Sequence, residues 1–146
     1  MKPELDKIYD VIIVGAGPAG LTAALYCGRA GFATLMLEKL SPGGQMATTK
    51  EIENYPGVPG ITDGFTLAMN MKAQAEQFGV RQDYAEVTAL RTEGELKLLD
   101  TKAGTLRARS VIHAPGAAPG LLGLPNETGL DGKCVGERAP YRKGIR

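Results

Sequence analysis

Tyr9-Asp10-Val11-Ile12-Ile13-Val14-Gly15-Ala16-Gly17-Pro18-Ala19-Gly20 decides how this chain is read. Its first half is an apolar run rich in β-branched residues and too short for a helix, which reads as a buried strand. Its second half spaces three glycines as Gly-x-Gly-x-x-Gly. A helix-compatible segment follows over residues 21–30, with Leu21, Ala24, Leu25 and Gly28 on one face. Strand, glycine turn and helix in this order form the unit that receives the pyrophosphate of a dinucleotide.

Each glycine has its own task. Gly15 allows the tight turn out of the strand, Gly17 lets the backbone approach the phosphates, and Gly20 lets the helix pack closely on the sheet. Pro18 suits the first helical turn, where its missing N–H is not needed. The free N–H groups there, with the helix dipole, form an anion site. Residues 33–37 read as the second strand, with Glu38 at its end and Lys39 next. An acid in that position accepts hydrogen bonds from an adenosine ribose. A Gly-x-Gly-x-x-Gly alone is weak in a chain holding 20 glycines among 146 residues. The flanking strand, helix and acid supply the context the motif requires. At this point NAD and FAD are equally open.

Composition sets the outer bounds. The length is one domain's worth, with 43% hydrophobic and 23% charged residues. A formal net charge of +1 gives no reason to expect nucleic acid or an acidic membrane. The charged start, Met1-Lys2-Pro3-Glu4-Leu5-Asp6-Lys7, lacks a signal peptide's apolar stretch, and no run approaches transmembrane length. A soluble cytoplasmic protein is the expectation. Cys27 and Cys134 form neither a Cys-x-x-Cys pair nor a metal set, so both are expected to be structurally incidental and no metal is expected.

After Glu38-Lys39 comes a long loop, residues 40–60, punctuated by Pro42, Gly43, Gly44, Pro56, Gly57, Pro59 and Gly60. Loops of this length in a compact domain are usually functional or disordered. Asp63 is placed to cap a helix over residues 64–78, with Ala68, Met71, Ala75 and Phe78 as its apolar stripe and Gly79 ending it. The period then shifts toward two. Strands are expected over 84–90, 95–99 and 105–109, as a small antiparallel meander, followed by a separate apolar strand over 110–114. Beyond Pro115-Gly116 the sequence turns Pro/Gly-rich and then basic.

Taken in order, Val14-Gly15-Ala16-Gly17-Pro18-Ala19-Gly20, Glu38, Pro42-Gly43-Gly44-Gln45 and Ile52-Glu53-Asn54-Tyr55-Pro56-Gly57 resemble the low-molecular-weight thioredoxin reductases. The Gly-Gly-Gln loop and the Ile-Glu-Asn-Tyr-Pro-Gly segment carry the specificity, and the match runs over about residues 8–125, including Leu124-Pro125. The resemblance implies an α/β, Rossmann-like FAD-binding domain: a parallel sheet with helices plus the meander, incomplete at its C-terminus. It implies that residues 1–118 form that domain and that 119–146 lead toward an NADPH domain. Gly17, Pro18 and Ala19 would face the FAD pyrophosphate and Glu38 the adenosine ribose. Gly44 and Gln45 would lie beside the flavin, with Asn54 also contacting it. The Val87 backbone would meet the adenine, and Ala114-Pro115-Gly116 would close over the cofactor.

In the family, electrons pass from NADPH to FAD and then to a disulfide. The implied partners are thioredoxin or a similar small disulfide protein and a second copy in a homodimer. Here the two redox cysteine positions align without gaps on Arg138 and Tyr141, which cannot exchange with a disulfide because a thiolate must attack. The chain alone is therefore expected to be inactive as a disulfide reductase, with no catalytic residue of its own. Two other readings stand beside this one: a non-catalytic FAD-binding module, and a cysteine-free relative like the ferredoxin–NADP reductases. The tail after about Gly132 is expected to be an out-of-frame or mis-joined end. Pro115 stands where the family has threonine, removing a donor and a hydroxyl. His113 stands where it has an apolar residue; an edge position or a damaged strand is expected there.

Overall fold

The computed structural model describes residues 4–117. Leu124-Pro125, Cys134, Arg138, Tyr141 and the expectations for the tail lie outside them. The described chain runs β1 (Ile8–Val14), α1 (Pro18–Arg29), β2 (Thr34–Glu38), a 3₁₀ turn (Gly44–Thr48), α2 (Gly64–Glu76), β3 (Arg81–Tyr84), β4 (Val87–Glu93), β5 (Leu96–Thr101) and β6 (Gly104–His113).

All six strands join one mixed sheet in the order β3-β2-β1-β6-β5-β4. The pairs β3–β2, β2–β1 and β1–β6 are parallel, and β6–β5 and β5–β4 are antiparallel. Alternation along the strands splits the core between two clusters. Val11, Ile13 and Met36 pack with Leu21 and Ala24 of α1 and with Ala68 and Ala75 of α2. Ile12, Leu35 and Leu37 point the other way and join Tyr9, Leu99, Leu106 and Ala108.

The helices form where the sequence signals them. Gly17 precedes α1 with no side-chain cap and Pro18 opens it. Asp63 caps α2 by accepting from the Thr66 N–H at 2.8 Å and from its hydroxyl at 2.6 Å. Of the stripe expected on α2, Ala68 and Ala75 are buried and Met71 is partly so, but Phe78 lies beyond the helix and is exposed. Leu67, outside the expected stripe, is buried as well.

The strands differ from expectation in two places. The segments 105–109 and 110–114 are one strand, β6, because nothing between Arg109 and Ser110 breaks the chain. Its first residues pair with β5, and Arg107 to His113 run beside β1, so the meander is continuous with the parallel sheet. The segment 84–90 is in fact two strands. Tyr84 closes β3 against β2, where Glu38 pairs with it, and β4 starts at Val87. The Ala85 N–H donates to the Glu38 carbonyl at 2.9 Å at this break. His113 ends β6 opposite Val14 and is exposed. Among the described residues β6 pairs with β5 no further than Ala108, which makes His113 an edge position. Inside the 40–60 loop the structure adds the 3₁₀ turn and a bridge between Ile52 and Thr62.

Candidate functional site

The parallel strands β1, β2 and β6 end together, and the chain leaves β1 to opposite sides, to β2 by way of α1 and to β6 later. Open α/β sheets bind ligands at the carboxyl ends of strands at such a switch point. Three backbone bonds tie this end together. The Gly15 N–H donates to the Leu37 carbonyl at 2.8 Å, the Gly43 N–H to the Ala16 carbonyl at 2.7 Å, and the Ala114 N–H to the Val14 carbonyl at 2.8 Å.

Packing around the turn leaves one glycine open and two enclosed. Gly15 has φ +101°, and a Cβ there would stand 2.1 Å from the Ala114 carbonyl oxygen. A Cβ on Gly20 would stand 1.9 Å from the Gly15 oxygen. A Cβ on Gly17 would meet nothing within 4 Å. The face of Gly17 is thus clear of protein just where α1 begins. The first helical acceptor, the Gly17 carbonyl, is used by Leu21 at 2.9 Å, so the N–H groups of Gly17, Ala19 and Gly20 precede the helical ladder. No acidic side chain sits in that first turn. This end fits a bound pyrophosphate on electrostatic and steric grounds.

Glu38 does more than its sequence position suggests. One carboxylate oxygen accepts from the Ala16 N–H at 2.8 Å and the other from the Leu40 N–H at 2.9 Å. It therefore fastens the end of β2 to the glycine turn. A carboxylate has about four acceptor sites, so two bonds leave room for ribose hydroxyls.

The Gly43–Gly44 segment, with φ of 103° and 54°, docks across the turn. A Cβ on Gly44 would lie 3.6 Å from the Gly17 Cα, which places Gly44 opposite the open glycine. Behind it, Gly64 at the start of α2 lies so close that a Cβ would stand 1.8 Å from the Met46 oxygen. The need for Gly64 is invisible in sequence, since nothing local marks the contact.

The structure thus brings Gly15, Gly17, Pro18, Ala19, Gly20, Glu38, Gly43, Gly44 and Ala114 to one end of the sheet. Pro115 and Gly116 follow Ala114 and are exposed. Gln45 is exposed at the start of the 3₁₀ turn, and Asn54 is exposed in the loop after Ile52. Val87 opens β4, paired with Thr101. Lys39 pairs with Glu86 at 2.7 Å, a link the sequence did not signal. Cys27 is a half-buried free thiol on α1, and burial pushes its pKa up, away from the reactive thiolate.

The model of the pyridine nucleotide-disulphide oxidoreductase family matches residues 9–141, most of the chain. This chain belongs to that family. Within it, the chain is similar to thioredoxin reductases. It is 45% identical over 130 residues to one from Bacillus subtilis, a match covering 89% of this chain and 41% of the relative. It is 46% identical over 130 residues to one from Listeria monocytogenes, covering 89% and 40%. In three dimensions it resembles the thioredoxin reductase of Streptococcus pyogenes, at TM-score 0.77 and 40% identity over 85% of this chain and 40% of that one. The Lactococcus lactis enzyme matches at TM-score 0.77 and 43% identity, covering 84% and 40%. The chain spans about two fifths of the length of these family members. Among its described residues, no helix is long and apolar enough to cross a membrane.

Proposed function

We propose that residues 1–118 are the FAD-binding part of a thioredoxin reductase-like flavoprotein, and that 119–146 lead toward an NADPH domain. The observation that carries this reading is the open face of Gly17. It stands before the uncapped start of α1, with Gly44 opposite and Glu38 fastened beside it. Gly17, Pro18 and Ala19 receive the pyrophosphate, and Gly15 and Gly20 shape the turn that presents them. Glu38, with Lys39 next to it, takes the adenosine ribose side. The Val87 backbone meets the adenine. Gly43, Gly44, Gln45 and Asn54 serve the flavin end, and Ala114-Pro115-Gly116 closes over the cofactor.

FAD, when bound, supplies the two-electron redox chemistry, while the protein supplies position and electrostatics. In the longer proteins of this kind we propose NADPH as the electron source and thioredoxin or a similar small disulfide protein as the acceptor. A cytoplasmic homodimer is the matching assembly. The support is the similarity to thioredoxin reductases over this segment.

The test is an FAD titration of the purified 146-residue chain, followed by flavin fluorescence and absorbance. Saturable quenching at one FAD per chain is expected. A colourless protein that leaves flavin fluorescence unchanged overturns the reading.

A further inference from the structure

Two stretches are assigned above to the flavin end, the Gly43-Gly44-Gln45 turn and the segment carrying Asn54. Both are fastened to one corner, Thr62-Asp63-Gly64, where α2 begins. The Ile52 N–H donates to the Thr62 carbonyl at 2.7 Å and the Thr62 N–H to the Ile52 carbonyl at 3.0 Å. That bridge grips the chain just before Asn54. The Gly64 N–H donates to the carbonyl of Thr49, which closes the 3₁₀ turn, at 2.9 Å. Gly64 is also buried against the Met46 carbonyl, with no space for a Cβ between them. One helical turn on, the Ala68 methyl closes on Gly43, where a Cβ would stand 2.7 Å from it.

The corner is itself held by one side chain. The Asp63 carboxylate accepts from the N–H and the hydroxyl of Thr66, which fixes the first turn of α2 and with it the aim of the Gly64 N–H. A capping bond of this kind shifts the equilibrium of a helix end by about fivefold. The pyrophosphate and ribose side is fastened by other means. There the Gly15 N–H bonds to Leu37 of β2, and the Ala16 N–H bonds to the Glu38 carboxylate. The two halves of the site therefore have separate anchors.

We propose that Asp63 is a positioning residue for the flavin: by capping α2 it holds the Thr62–Gly64 corner, which sets Gly44, Gln45 and Asn54 in relation to Gly17. This rests on the FAD reading above and deepens it. Asp63 acts through the backbone of the corner, since its side chain bonds to α2. Losing the cap loosens both flavin-end stretches together and leaves the pyrophosphate turn in place.

Fluorescence titration of the full 146-residue chain with FAD, using ADP as a flavin-free competitor, tests the assignment. Asp63→Ala is expected to weaken FAD about three- to tenfold, a range that brackets the cap's own effect. It should also change the visible circular dichroism of the bound flavin, while ADP affinity stays within about twofold. Asp63→Asn, an equally good cap, is expected to restore both the FAD affinity and the spectrum. Gly64→Ala, which must displace the Met46 carbonyl, is expected to weaken FAD about tenfold or more; if it does not fold, the Asp63 pair decides alone. Asp63→Ala with wild-type affinity and flavin spectrum overturns the positioning role. So does an equal loss of FAD and ADP, or a chain that Asp63→Ala unfolds, because the cap then serves stability alone. A wild type that binds FAD without competition from ADP overturns the division into two halves, and the proposal with it. A wild type that binds no FAD overturns the FAD reading itself.

Discussion

The two ends of β6 are held by different means. Where β6 begins, side chains clasp the hairpin in addition to the β5 ladder. Arg91 of β4 grips Asp100 of β5 with two bonds of 3.0 and 2.9 Å, and the Thr105 hydroxyl of β6 donates to the same carboxylate at 2.8 Å. Where β6 ends, the added bonds beyond the strands are mostly backbone, Ala114 to Val14, Gly15 to Leu37 and Gly43 to Ala16, with the Glu38 carboxylate holding the Ala16 N–H. The difference shows how one sheet serves two purposes. Side-chain clasps on a solvated hairpin can be exchanged at small cost. A backbone-fastened turn leaves no room for a Cβ on its inner side, while its outer side stays clear for a ligand.

The largest effect is expected at Gly20. Gly20→Ala drives a Cβ into the Gly15 carbonyl, where only backbone could yield. A loss of ~4 kcal/mol or more, read by urea denaturation, places it among the rare severe substitutions. A near-neutral result would mean that the turn is held less rigidly than the hairpin. Next comes Leu99→Ala, which empties a fully buried position on β5. It should cost about 3 kcal/mol by the same measurement.

Gly17→Ala separates stability from binding. With open space around it and backbone in the extended region, the change should alter stability by less than about 0.5 kcal/mol. Its methyl group would stand where phosphate must approach, so FAD affinity should fall about tenfold or more in the same fluorescence titration. Unchanged affinity would show that the outer side of the turn is not the ligand's side.

The smallest effect belongs to the hairpin. Arg91 first, then Thr105, holds the Asp100 carboxyl below its usual range. Its stabilisation is therefore fully present above the unfolded Asp value of about 3.9 and is lost as pH falls through the lower folded value. Asp100→Asn should lower the thermal midpoint slightly at pH 7, and the gap to wild type should close in strongly acid solution. A gap that widens in acid would contradict the pairing.

How legible each region was follows from its physics. The β1 turn is read from residues in sequence, because Gly15, Gly17 and Gly20 each answer a local demand. Glu38 was found by its distance from that turn, and Asp63 by the cap it offers α2. In contrast, β3 was hidden. Its residues Arg81, Gln82 and Asp83 show no apolar alternation, yet Asp83 is 2% exposed. Burial there is made tolerable by Arg81, whose guanidinium pairs with Asp83 at 2.9 Å and with Glu4 at 2.8 Å. The unity of β6 was hidden for another reason. Its pattern changes midway because its neighbours change from β5 to β1 alone, and periodicity reports neighbours rather than strand ends.

By itself, then, the sequence determined the strand–turn–helix, the acid beside it, the glycine loop that would face it and the family resemblance, all written in residues near one another or in a fixed order. Tertiary structure alone decided that Gly43 would fasten to Ala16, that Glu38 would lock onto the turn, and that Lys39 would meet Glu86. These contacts join segments far apart in the chain. Their geometry comes from the order and register of the strands, which no local pattern encodes.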